Sequence, residues 1–64
     1  MPTEKAETLA LRSAMARRQH WLDRKRSAEG VGDIAAAHEA ARFVAAYEIV
    51  VADLERHLAA ERDA

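Results

Sequence analysis

Residues 34–58 read IAAAHEAARFVAAYEIVVADLERHL and carry two apolar rows. One row is a seam in alternating steps of four and three: Ala36, Ala40, Phe43, Tyr47, Val50 and Leu54. The other advances in sevens: Ala37, Val44, Val51 and Leu58. On a helix of about 3.6 residues per turn, the two rows lie side by side and form one wide apolar face. A face that wide needs more than one neighbour. Whatever this chain folds into must cover it.

The rest of the chain supplies one further helix. Sixteen of the 64 residues are alanine, and only two are glycine and one proline. Such a composition favours helix and offers little to a strand. From Glu4 to about Ala28 nothing breaks a helix. Thr3 is expected as its N-cap, with Glu4 and Glu7 in the first turn, where negative charge suits the helix dipole. Gly30-Val31-Gly32-Asp33 is the only break. Gly30 is expected in the left-handed position after the first helix, Val31 folded back over the helix ends, and Asp33 as N-cap of the second helix. Arg24, Lys25 and Arg26 are then expected in the last turns of the first helix.

A loop of about four residues makes the two helices antiparallel neighbours. The expected fold is all-α: a two-helix antiparallel hairpin, about 3–28 and 33–62, forming a single domain over residues 1–64. In the expected register Met15 meets Tyr47, Leu11 meets Val51, and Leu22 meets Ala40.

The first helix cannot cover the face of the second. Its large apolar residues are Leu9, Leu11, Met15, Trp21 and Leu22, and only Leu11, Met15 and Leu22 share a narrow stripe. Arg18 and Lys25 project beside that stripe, with stems expected on apolar surface and charged heads in water or paired with Glu. The stripe can serve the Ala36–Leu54 seam, leaving the Ala37, Val44, Val51, Leu58 row uncovered. That row, or whichever of the two faces outward, is where a second molecule is expected. Ile49 and Leu9 fall on polar sides as single exposed apolar residues.

A chain this short is marginal without a supplement to its core. It has no cysteine, so disulfides are excluded. Self-association is the expected supplement: two hairpins forming a four-helix bundle with the second helices central. The expected oligomer interface is Ala37, Ala40, Phe43, Val44, Tyr47, Val50, Val51, Leu54 and Leu58. Dimer and tetramer both satisfy the pattern.

No catalytic set is legible. Ser13 and Ser27 have no evident triad partners, and Gly30 and Gly32 lack the spacing of a phosphate loop. Asp53 and His57 share a helix face at i,i+4, and a metal site built across subunits from His38, Asp53 or His57 is the weakest of the readings. No enzyme activity, cofactor or resident metal is expected. No apolar run is long enough for a membrane span, and the opening MPTEKAETLALRS does not resemble a signal peptide. A cytoplasmic protein is expected.

Net charge is −1 and unevenly spread. Residues 1–29 sum to +3 and residues 30–64 to −4. Packed helices would compensate one another. A sharper reading lies in residues 17–26, where five of ten side chains are basic. Arg17, Trp21 and Arg24 share an edge, with Lys25 and Arg26 nearby. Arginine forks suit phosphates, and an exposed indole can stack on a base.

The expected function is therefore a non-enzymatic homo-oligomeric module for protein–protein interaction, regulatory or adaptor in kind. The alternative is an RNA- or DNA-binding regulator using the 17–26 ridge. In length, helix count and loop, the chain resembles the plasmid copy-control RNA-binding hairpin dimers. That likeness of size and shape carries over no residue role.

Overall fold

The computed structural model describes residues 4–63. Two helices, α1 (Ala6–Gly30) and α2 (Ile34–Asp63), pack along their lengths as an antiparallel hairpin. The hairpin measures 48 × 23 × 12 Å. Its smallest dimension is about the diameter of one helix, so the fold is a single layer. Thr3, the expected cap of α1, lies outside the described residues. Lys5 precedes α1, and its carbonyl accepts the N–H groups of Thr8 and Leu9, both at 3.1 Å.

The turn differs from expectation in one respect and agrees in another. α1 runs through Gly30, and it is Gly32, at φ 74°, that takes the left-handed conformation. The N–H of Asp33 bonds back to the Ala28 carbonyl at 2.9 Å, and that of Gly32 to the Glu29 carbonyl at 3.2 Å. These two bonds form a Schellman closure, with Val31 as the last half-helical residue. As a result Val31 points outward, 82% exposed, and does not fold over the helix ends. Arg24, Lys25 and Arg26 fall in the last two turns of α1, as expected, though none is in the final turn. Asp33 does cap α2: its Oδ1 accepts the Ala36 N–H at 3.0 Å.

The core is a strip of small side chains. Ala14 and Ala28 of α1 meet Ala37, Ala40, Val44 and Val51 of α2, and no large side chain is fully buried among the described residues. The row in sevens, expected to face outward, is thus the row that packs on α1. Val51 is 4% exposed, whereas Phe43 and Val50 of the seam are 39% and 44% exposed. The physical reason is volume. Alanines and valines let the two backbones approach, and aromatic rings cannot fit between helices that close.

The same preference reshapes α1. Ala14, not Met15, points at α2, and Met15 is 43% exposed. The register is also shifted by about two residues from expectation. Trp21 would have stood beside Ala41, and it lies instead on Phe43. Arg18 and Lys25 are half-buried at the edge of the strip, their stems on apolar surface as expected. Leu9 and Ile49 are exposed, also as expected. No helix is long and apolar enough to cross a membrane among the described residues.

Candidate interaction surface

The ring of Trp21 stacks on that of Phe43, with centroids 4.2 Å apart and planes 10° apart. This pair fixes which sides of the two helices share a flat face of the hairpin. On α2 the face continues from Phe43 through Tyr47, Val50 and Leu54, in steps of four, three and four. On α1 the edge that holds Trp21 also carries the exposed Arg17 and Arg24, with Ala10 further along, while Ala14 is turned into the strip between the helices.

Of the expected interface set, Ala37, Ala40, Val44 and Val51 are covered by α1 of the same chain and offer nothing to a second molecule. Phe43 and Val50 are open to solvent, and Tyr47, Leu54 and Leu58 are half-buried. Of the exposed large apolar side chains, Phe43 and Val50 lie on the seam, and Leu9, Met15, Val31, Ile34 and Ile49 lie off it. The accessible surface of the chain is 5013 Å². A compact monomer of 7.1 kDa would expose about 4,100 Å². The difference, roughly 900 Å², reflects the long, single-layer shape of the hairpin.

The basic ridge borders this face. Arg17, Arg24 and Arg26 are exposed, and Trp21 and Lys25 are half-buried. The Arg24 guanidinium lies over the Trp21 ring, 5.3 Å from its centroid. Between the Phe43 ring and this cation, the indole is engaged within the chain and has little face left for a base. Lys25 pairs with Glu29 of its own helix at 3.5 Å. Compensation between the helices is sparse. Among the described residues the ion pair joining α1 to α2 is Lys5–Glu61, at 3.1 Å, and Arg17, Arg24 and Arg26 have no acidic partner. The charge imbalance of the two halves is therefore left standing on the surface.

A shallow cleft at the loop end, beside the Trp21–Phe43 stack, is bordered by His20, Asp23, Arg24, Ser27 and Glu39. The residue types could suggest a triad. Among the described residues, however, no hydrogen bond joins Ser27 to His20, and Asp23 accepts from the side-chain amide of Gln19 at 3.0 Å.

The sequence-level pairing of Asp53 with His57 does not form. Asp53 binds Arg56, one turn away, and His57 Nε2 lies 3.4 Å from Glu61 Oε1. Glu7 of α1 approaches the same pair, so that one donor atom from each of Glu7, His57 and Glu61 lies within 4.8 Å of the others. His57 and Glu61 are legible as an i,i+4 pair in the sequence. Glu7 is 50 residues away from His57, and only the register of the hairpin brings it in. Lys5 holds the Glu61 carboxyl below the usual carboxylate range, by its hydrogen bond first and its charge second, and His57 adds a smaller effect.

No family model matches the sequence, and neither a curated protein nor a solved structure matches it.

Proposed function

We propose that this chain is a non-enzymatic module for protein–protein interaction that works as a homodimer, with the Phe43, Tyr47, Val50, Leu54 seam as its dimer face. One observation carries the reading. A heptad-spaced apolar seam, with Phe43 and Val50 exposed and Tyr47 and Leu54 half-buried, runs along a hairpin one helix thick, whose own core holds only alanines and valines. Globular domains bury such a face against a second layer, and a second copy supplies one of matching length and spacing. Stacking two hairpins through this face yields a four-helix bundle, with left-handed coiled-coil packing along the seam. A regulatory or adaptor role follows if the bundle presents its basic ridges to a further protein. A cytoplasmic setting is part of the proposal, since a chain without cysteine suits a reducing compartment.

Size-exclusion chromatography with light scattering tests it. A mass of two chains is expected, falling to one chain in Val50→Glu, which sets like charges into the seam. A monomeric wild-type chain at tens of micromolar would overturn the homodimer.

A second reading, RNA or DNA binding, has one observation in its favour: Arg17, Arg24 and Arg26 carry no acidic partner among the described residues. With Trp21 engaged by Phe43, this reading reduces to phosphate contact. Duplex DNA, duplex RNA and single strands titrated across a salt series would test it. Arg17→Glu with Arg24→Glu should then abolish binding and remove the salt slope. Absence of binding at low salt would eliminate this alternative.

A further inference from the structure

At the end of the hairpin remote from the turn, the small-residue strip runs out. Val51 is the last buried residue of α2 among the described residues, and Leu58 is only half-covered. There Glu7 of α1 and His57 and Glu61 of α2 converge, with one donor atom from each within 4.8 Å of the others. His57 and Glu61 stand one turn apart on α2, with Nε2 to Oε1 at 3.4 Å. The second oxygen of Glu61 is 3.1 Å from Lys5 Nζ. The group thus already draws a cation to itself, although Lys5 comes from its own chain.

One imidazole and two carboxylates form a donor set for a borderline divalent ion. Imidazole favours zinc and its neighbours, and hard ions such as magnesium prefer all-oxygen shells. Bonds of about 2.0–2.2 Å to zinc would place the donors roughly 3.5 Å apart. His57 and Glu61 are exposed and Glu7 is half-buried, and closing the remaining distance asks for a change of side-chain rotamer. The donors come from both helices, so an ion held here ties together the two chain ends that packing leaves weakest. A small domain without disulfides gains most from such a tie.

We propose that Glu7, His57 and Glu61 form a zinc-type divalent transition-metal site that staples the open end of the hairpin. Three protein donors leave the remaining coordination to water. Lys5 competes for Glu61 and leaves it when the ion binds. His57 and Glu61 continue the spacing of the seam beyond Leu54, so the site lies at the end of the proposed dimer face. Light scattering on the zinc-titrated chain separates a rise in melting temperature caused by dimerisation from one caused by the staple within the hairpin.

The test uses the full chain, freed of metal with a chelator that is then removed. Zinc chloride is titrated in, with equilibrium dialysis for stoichiometry and circular dichroism for melting. One zinc per chain is expected, with a rise in melting temperature of roughly 5–10 °C for each tenfold excess over the dissociation constant. His57→Ala should keep the metal-free melting curve nearly unchanged and lose the rise. Glu61→Gln should lose the rise as well, from a metal-free melting point lowered slightly by loss of the Lys5 bridge. Lys5→Ala should bind zinc more tightly. The chain with both His20→Ala and His38→Ala should behave as wild type. Magnesium chloride should give no rise. No zinc-dependent rise in the wild type, an equal rise in His57→Ala, or an equal rise with magnesium would each overturn the site.

Discussion

Trp21 and Phe43 lie face to face across the two helices, 4.2 Å between centroids, and this contact sets the register of the hairpin. It also occupies the one tryptophan of the chain, which makes the register open to measurement. In Phe43→Ala the indole should become more exposed. Its emission should shift to the red and its quenching by iodide should increase. The lost stack should cost about 1–2 kcal/mol, measured by urea unfolding. An unchanged spectrum would mean that Trp21 does not rest on Phe43.

The two apolar rows of α2 should respond differently to truncation. Val51 belongs to the buried strip, so Val51→Ala should lower hairpin stability by about 1–3 kcal/mol. Tyr47 lies on the seam, so Tyr47→Ala should raise the dimer dissociation constant and make melting more concentration-dependent. Light scattering and melts at several concentrations separate the two. Val51→Ala destabilising only through dissociation would reverse the assignment of the rows.

The two glycines should give opposite signs. Gly30 is helical, and a methyl group added there meets nothing within 4 Å. Gly30→Ala should therefore stabilise by about 0.5–1 kcal/mol. Gly32 is just as open but sits at φ 74°, so Gly32→Ala should destabilise by about 1–2 kcal/mol through backbone strain. Two changes of the same sign in thermal melts would contradict the Schellman closure.

The Lys5–Glu61 bridge should make the open end of the hairpin sensitive to acid. Its folded state holds Glu61 below the usual carboxylate range. Stability from this group is therefore fully present above the ordinary carboxylate pKa of about 4.3 and is lost as pH falls through the lower folded value. Melts in chelator-treated protein between about pH 6 and pH 3 should fall less steeply for Glu61→Gln than for wild type. Identical slopes would show that the bridge does not persist in solution.

Much of this architecture is written locally. Asp33 as the cap of α2 and the helical content follow from residue chemistry over a few positions and appear where the sequence puts them, while the break begins after Gly30 and turns at Gly32. The seam and the row in sevens are equally plain as patterns. Periodicity alone could not assign one row to the chain and the other to a partner. Their directions around α2 differ by less than a quarter-turn, and both are apolar.

The tertiary structure decided that assignment through size. Ala14 and Ala28 draw α2 in over Ala37, Ala40, Val44 and Val51, and the rings of Phe43 and Tyr47 are too large for the gap and move to the flank. The left-handed turn at Gly32 and the Trp21–Phe43 stack then fix the register about two residues from where loop length alone would set it. That register brings Glu7 to His57 and Glu61, which no spacing along the chain could announce. The sequence by itself determined two helices, a tight turn and a surplus of apolar surface. Close packing of small side chains between the helices decided which residues carry that surplus.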